Sequence, residues 1–296
     1  MYYMYSMLVA KFGVTQTHAF FMIMGGFHSF SDTGENHPLT WEDVIDLLTK
    51  KQITLPKKAE IQDKSKSDSL AKALVLIQTL WFVMQCIARR LERLPTTELE
   101  IVTLAYGAIS FGMFIAWWDK PYNVACPIQV SQESPSGHAS RSYGWAMRLS
   151  DIIVGLQDNG INLHYEQTVP MFYSGDPNET VIFVADSITL AAGVVFGAIH
   201  CVAWSFHFPS HAESLLWRIS SAAITAVPVL IFIASVVTIG FDVDVLNNPL
   251  LVLMVFSGLL YVAARAITVV LAFVTLASLP LGAFQTVHWT TLIPHV

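Results

Sequence analysis

The chain has 296 residues, of which 54% are hydrophobic and 13% are charged, and its mean hydropathy is +0.53. About a quarter of the residues in a typical soluble domain are charged, so this composition argues against a soluble fold. The net charge of −6 argues against a nucleic-acid partner held by phosphate contacts. The scattered cysteines Cys86, Cys126 and Cys201 form neither a disulfide framework nor a zinc motif.

Residues 1–69 are predicted to form an interfacial and polar N-terminal segment. The stretch 7–27 within it is apolar but is interrupted by Lys11, so an interfacial position is favoured over a span. Thr40 and Asp43 have the spacing of a helix N-cap and an acidic residue in the first turn. The sequence therefore predicts a short helix lying against the membrane, and a lysine cluster that binds anionic lipid is the alternative.

Five apolar stretches approach or exceed the roughly 20 residues that a helix needs to cross a bilayer. The sequence therefore predicts an all-α protein, a polytopic transmembrane helix bundle in which the lipid bilayer is the main partner. The predicted spans are residues 70–88, 99–118, 185–206, 217–241 and 250–278.

The first two spans are predicted to form a transmembrane hairpin over residues 70–118, because only a short arginine-rich turn joins them. Thr97 and Glu100 have the spacing of a capping box at the start of the second span. Trp117 and Trp118 end that span, and paired tryptophans are typical of the interface between membrane and water.

The connection between the second and third spans, residues 119–181, is unusually long. Residues 121–130 are predicted to be extended, and residues 140–156 are predicted to form an amphipathic helix. Asn178 begins a glycosylation sequon. Because long loops without structure are uncommon unless they are functional, this extramembrane connection is expected to form a cap or rim over the bundle.

The remaining spans lie within residues 182–278, and residues 279–296 are predicted to be an irregular C-terminal tail. Gly193 and Gly197 form a G-x-x-x-G pattern in the third span, which permits close helix–helix association. Pro228 lies inside the fourth span and is expected to kink it.

Positive residues near the span ends favour one orientation only slightly. Six lysines lie on the face shared by the N-terminal segment and the long connection, and four arginines lie on the other face, so the lysine face is predicted to be cytoplasmic. A glycan at Asn178 would reverse this orientation. The basic residues counted are Lys57, Lys58, Lys64, Lys66, Lys72, Lys120, Arg89, Arg90, Arg93 and Arg218.

Ionisable residues inside spans are the first candidates for function. Arg265 lies midway along the fifth span, and Asp186 lies at the start of the third. An ion pair of Arg265 with Asp186 or Glu98 would lower the cost of burying these charges, and a structural pair or a snorkelling arginine is the favoured interpretation. With His200, these residues are the candidates for a catalytic role.

A second constellation consists of His200, His207 and His211, which have the spacing of metal ligands on an unbroken helix. Pro209 lies between the last two, and the other histidine boxes of membrane di-iron enzymes are absent. The sequence therefore predicts no metal, and these three histidines are kept as the alternative. Since the chain also has no P-loop, nucleophile-elbow or dinucleotide-binding motif, no cofactor is predicted.

Short runs of residues are spread in order over nearly the whole chain. They are His18–Phe21, Met24–Phe27, Glu60–Lys66, Leu94–Glu100, Trp117–Pro121, Val169–Tyr173, Gly197–Cys201, Phe208–Arg218 and Thr286–His295. Together they resemble a family of uncharacterised multi-span membrane proteins found in fungi. Members of that family usually have additional membrane segments before the matched part, so the chain resembles their C-terminal portion.

This resemblance implies a fungal source, an endomembrane or plasma-membrane location and a multi-span architecture, but it implies no reaction. The chain departs from the family pattern at Ala277 and Leu281, where a basic residue and a second proline are expected.

Because no catalytic signature is present and charge inside the spans is sparse, the sequence favours a non-catalytic membrane protein that is receptor-like, a scaffold or lipid-contacting. One alternative is an intramembrane enzyme that acts on a lipid or terpenoid in a cavity lined by His200, Trp204, Tyr106 and Trp118. The other is a transporter. A deep pocket with converging carboxylates would favour the enzyme, and a continuous polar path would favour transport. A small lipophilic ligand is compatible with all three.

Overall fold

The computed structural model describes residues 12–30, 36–66, 69–131, 169, 179–240, 249–287 and 289. The chain divides into two compact units. The first consists of residues 1–72 and 117–181, and the second consists of residues 73–116 and 182–296. The predicted amphipathic helix at 140–156 and the sequon at Asn178 lie outside the described residues.

The first unit contains short helices and a small sheet. In chain order its elements are α1 (Gln16–Ile23), β1 (Phe27–Phe30), β2 (Asn36–Pro38), α2 (Trp41–Thr49), α3 (Lys58–Lys64) and β3 (Ile128–Ser131). The strand order is β2-β1-β3. Strand β1 pairs with β2 antiparallel and with β3 parallel, so that β3 joins the N-terminal strands from a distant part of the sequence.

The first unit has its own apolar core. Phe21, Val44 and Ile61 are fully buried in one apolar cluster, and the Phe21 and Phe27 rings meet edge to face with centroids 5.4 Å apart. Helix α1 has eight residues, far fewer than a span needs. From residue 12 onward, the apolar side chains therefore pack into a small folded unit.

Helix α2 begins where the sequence predicts. Asp43 N donates to Thr40 Oγ1 over 3.2 Å, and Thr40 N donates to an oxygen of Asp43 over 3.3 Å. The two side chains thus satisfy backbone donors that have no partner within the helix.

Five long helices follow: α4 (Ser69–Leu91), α5 (Glu98–Ala116), α6 (Glu179–Cys201), α7 (His211–Gly240) and α8 (Pro249–Val274). Among the described residues, five helical stretches are long and apolar enough to cross a membrane, which confirms the predicted all-α bundle. These candidate spans are Leu70–Leu91, Glu98–Ala116, Thr180–Ser205, His211–Val237 and Leu253–Ser278.

The α4–α5 hairpin has the predicted capping box. Glu100 N donates to Thr97 Oγ1 over 3.2 Å, and Thr97 N donates to Glu100 Oε2 over 2.9 Å. At the other end of the hairpin, Lys72 Nζ donates to the Trp118 carbonyl over 3.0 Å. A cation is favourable there because the last carbonyls of a helix have no helical partner.

Just beyond the end of α5, Lys120 Nζ lies 4.7 Å from the centre of the Trp117 ring. Partial burial lowers the pKa of Lys120, because the charged form loses hydration.

Helices α6 and α7 approach closely at the two glycines of the G-x-x-x-G pattern. A Cβ added to Gly197 would lie 2.5 Å from Thr225 Oγ1, and one added to Gly193 would lie 3.1 Å from the Pro228 ring. Helix α7 continues through Pro228 without ending. The glycine pair therefore makes room for another helix of the same chain.

Candidate functional site

A cavity of about 440 Å³ lies within the second unit, at one end of its long helices. Its wall is formed by the end of α4, the start of α5, the segment between α6 and α7, and the segment that follows α8. Consecutive helices run in alternating directions, so these parts of the chain meet at one end of the bundle. The polar lining includes Arg90, Thr97, Glu98, His207, Thr275 and Ser278, and the apolar lining includes Pro95, Phe206, Pro209, Leu279, Pro280 and Ala283.

The carboxyl group of Glu98 is the most buried ionisable group of this lining. Glu98 is the first residue of α5 and is 5% exposed. The hydroxyl of Thr275, which lines the same cavity, donates to the carbonyl of Ala272 over 3.2 Å. Within the part of the chain that the structure describes, Glu98 has no ion-pair partner. The neighbouring Arg89 instead pairs with Glu100, with 3.4 Å between Nε and Oε1.

Arg89 fixes one wall of the cavity. Its Nη1 donates to the carbonyl of Gln285 over 2.8 Å, and its Nη2 donates to the carbonyls of Pro95 over 2.7 Å and Ala283 over 3.1 Å. The guanidinium fork thereby ties the segment after α8 to the turn between α4 and α5. Ala283 and Pro95 both line the cavity, so Arg89 connects two parts of its wall.

Below the cavity, an apolar cluster closes the bundle. Its largest side chain, Trp217, is fully buried. The indole Nε1 of Trp217 donates to the carbonyl of His200 over 3.2 Å. The buried members of the cluster are Ile101, Val102, Ala203, Trp217, Leu271 and Ala272.

The three histidines considered as metal ligands have different surroundings. His200 is 1% exposed, and its Nδ1 donates to the carbonyl of Phe196 over 2.8 Å. His207 lines the cavity, and His211 is exposed at the start of α7. The described residues contain no group of three or more His, Cys, Asp or Glu side chains placed to hold a metal ion.

Arg265 lies among aromatic rings rather than beside a carboxylate. Its guanidinium carbon is 4.5 Å from the ring centre of Phe196, 5.1 Å from that of Tyr106 and 5.7 Å from that of Tyr261. Asp186 precedes Phe196 by ten residues on α6, or about 15 Å of helical rise. Neither Asp186 nor Glu98 forms an ion pair with Arg265 among the described residues.

The aromatic surroundings account for an arginine at this depth. Insertion scales put the cost of an arginine at the centre of a span at about 2.5–3.5 kcal/mol. Each cation–π contact is worth about 0.5–2 kcal/mol, so three rings offset a cost of that size. The three rings therefore account for an arginine at this position without a carboxylate partner. The sequence carried one signal for this arrangement, since Tyr261 precedes Arg265 by one helical turn.

Of the four catalytic candidates, the structure places only Glu98 in the cavity, while His200 and Arg265 both contact Phe196 deeper in the bundle. Sequence reasoning missed the cavity itself. Arg90 and Thr275 are unremarkable by themselves, and only the alternating helix directions bring them to the same end.

Residues 5–140 match a family of unknown function, DUF8562. The matched region contains the elements from α1 to β3, including the α4–α5 hairpin. No curated protein and no solved structure matches the chain. The family description assigns no activity.

Proposed function

We propose that the protein is a multi-pass integral membrane protein that binds the headgroup of a membrane lipid in the cavity without catalysing a reaction. The cavity carries the proposal, because it lies where five candidate spans end together. At that depth a membrane presents lipid headgroups. The proposed location is an endomembrane or the plasma membrane of a fungal cell, as the family resemblance implies.

The size and lining of the cavity support a headgroup as the ligand. A volume of about 440 Å³ lies within the usual range for small-molecule sites, roughly 300–1,000 Å³. Arg90, Glu98 and His207 offer charged and hydrogen-bonding groups, and the apolar cluster around Trp217 separates them from the bundle interior. A lipid would therefore insert its headgroup and leave its acyl chains in the bilayer.

A second candidate function is an intramembrane enzyme that acts on a lipid. It is favoured by the presence of a carboxyl group, Glu98, and an imidazole, His207, in one lining, since such groups serve as general acid and base. Glu98 is the one carboxyl among the described lining residues. Conversion of a bound lipid by the purified chain would favour this second function.

A substitution that fills the cavity tests the proposal. Ser278 lines the cavity, whereas Leu276, in the same short 3-10 helix, is 36% exposed and lies outside the lining. In the full chain purified in non-ionic detergent, we expect Ser278→Trp to lower co-purified lipid about tenfold, or about 1.4 kcal/mol. The matched variant Leu276→Trp is expected to retain it. Lipid is measured by mass spectrometry of the extract, and equal lipid in both variants would contradict the proposal.

A further inference from the structure

We propose that the headgroup bound in this cavity carries a primary ammonium group that pairs with the carboxylate of Glu98, as in a phosphoethanolamine lipid. This inference rests on the proposed function and names the ligand class for the same cavity.

The first step concerns the counter-charge that is missing beside Glu98. A buried carboxylate is costly unless a cation or several hydrogen bonds compensate it. Glu98 is 5% exposed and forms no ion pair with any of the residues that the structure describes. Arg89 does not neutralise it, because its guanidinium is engaged by Glu100 and by backbone carbonyls. A cationic ligand would supply the missing counter-charge and favour the ionised form of this carboxyl group.

The second step concerns the rest of the headgroup. Arg90 and His207 line the same cavity as Glu98. A guanidinium suits a phosphate, which it binds through charge-assisted hydrogen bonds. An ammonium at Glu98 together with a phosphate at Arg90 describes a zwitterionic headgroup.

The third step distinguishes a primary ammonium from a quaternary one. A primary ammonium has three N–H donors, and the hydroxyl groups of Thr97, Thr275 and Ser278 line the cavity as acceptors. Quaternary ammonium groups are instead recognised by cages of several aromatic rings. Phe206 is the one aromatic residue in the described lining, so the cavity suits ethanolamine better than choline. A phosphatidylserine headgroup would bring its own carboxylate close to that of Glu98, and the two negative charges would repel each other.

The experiment is a lipid titration of the full chain in non-ionic detergent, read by native mass spectrometry. The probes are dioleoyl phosphatidylethanolamine, phosphatidylglycerol and phosphatidylcholine, which share their acyl chains. For the wild type, we expect phosphatidylethanolamine to bind about tenfold tighter than phosphatidylglycerol, and affinity to fall on methylation to phosphatidylcholine. Glu98→Gln is expected to bring the ratio of phosphatidylethanolamine affinity to phosphatidylglycerol affinity close to one. Glu92 is an acid in the nearby turn and lies outside the lining, so Glu92→Gln is expected to preserve this ratio.

The outcomes separate the two proposals. If the wild type binds phosphatidylglycerol as tightly as phosphatidylethanolamine and Ser278→Trp abolishes both, the cavity binds headgroups but the ammonium assignment is wrong. If no lipid binds in a manner that Ser278→Trp changes, the proposed function fails as well. The comparison of phosphatidylethanolamine with phosphatidylcholine uses the wild type alone, so it decides the assignment even if Glu98→Gln does not fold.

Discussion

Arg265 stands near the middle of the fifth candidate span, Leu253–Ser278, where a bare charge is unfavourable. The sequence suggested Asp186 or Glu98 as an ion-pair partner of Arg265. In the structure its guanidinium instead lies near the rings of Phe196, Tyr106 and Tyr261. Ring faces are electronegative and attract the guanidinium. The strength of this attraction can be measured because Tyr106, on α5, and Arg265, on α8, belong to different helices.

We predict a favourable coupling energy of about 0.5–2 kcal/mol between Tyr106 and Arg265. The variants Tyr106→Leu, Arg265→Met and their combination form a double-mutant cycle, measured by equilibrium unfolding in detergent micelles. The leucine removes the ring, including its edge-to-face contact with Phe196, and the part of this loss that depends on the cation is the coupling energy. A control cycle pairs Tyr106 with Arg218, whose guanidinium instead contacts the Trp204 ring. Coupling of equal size in both cycles would contradict the aromatic assignment of Arg265.

Most long elements were predictable, since apolar length and capping patterns act locally. The box at Thr97 and Glu100 predicted the start of α5, and five apolar stretches predicted five long helices. The strand pairing of the first unit was not predicted. Residues 121–130 were predicted to be extended, and β3 begins within that range, but β1 and β2 have only four and three residues and give no clear pattern. Strand β3 also pairs with β1 about 100 residues away, and no local pattern encodes such a pairing.

The helix pair α6–α7 depends on the absence of a side chain at Gly197. We predict that Gly197→Ala destabilises the protein by about 1–3 kcal/mol, because an added Cβ would meet Thr225 Oγ1 at 2.5 Å and the backbone Thr225 Cα at 2.6 Å. A backbone atom cannot rotate away as a flexible side chain can, so the two helices must separate. The measurement is equilibrium unfolding in detergent.

Two other glycines serve as graded controls for this prediction. A Cβ at Gly193 would approach the Pro228 ring at 3.1 Å, and one at Gly112 would meet no atom within 4 Å. Gly193→Ala is therefore expected to destabilise less than Gly197→Ala. Gly112→Ala is expected to be neutral or stabilising by up to about 1 kcal/mol, since alanine favours helix. A loss of stability at Gly112 equal to that at Gly197 would refute the packing explanation.

At the scale of the whole chain, residues that are distant in sequence belong to the same structural unit. Strand β3, from the predicted connection 119–181, pairs with strand β1, from the predicted segment 1–69, so described residues of both segments belong to one compact unit. No pattern in the sequence predicted the candidate cavity either. Glu98 was predicted as a candidate residue, but its neighbours Arg90, His207 and Thr275 come from separate helix ends, and only the assembled bundle brings them together.

The wall of the cavity depends on a contact between distant parts of the chain. Arg89, at the end of α4, holds the carbonyls of Ala283 and Gln285, which follow it by almost 200 residues. We predict that Arg89→Gln releases this segment, because an amide side chain cannot replace the three-carbonyl fork of a guanidinium. Hydrogen exchange of the backbone amides in residues 281–287 should rise about tenfold or more, corresponding to at least about 1.4 kcal/mol of lost protection.

Arg89→Gln also tests whether the cavity wall affects ligand binding. If the Arg89 fork sets the width of the cavity, Arg89→Gln should also weaken phosphatidylethanolamine binding, while exchange in the middle of α7 and α8 stays unchanged. Arg93→Gln is the matched control, since Arg93 is exposed in the same turn and lies outside the cavity lining. Equal exchange of residues 281–287 in the two variants would show that the segment is held by its apolar contacts instead. In that case the cavity would keep its shape without Arg89, and lipid binding would be the same in both variants.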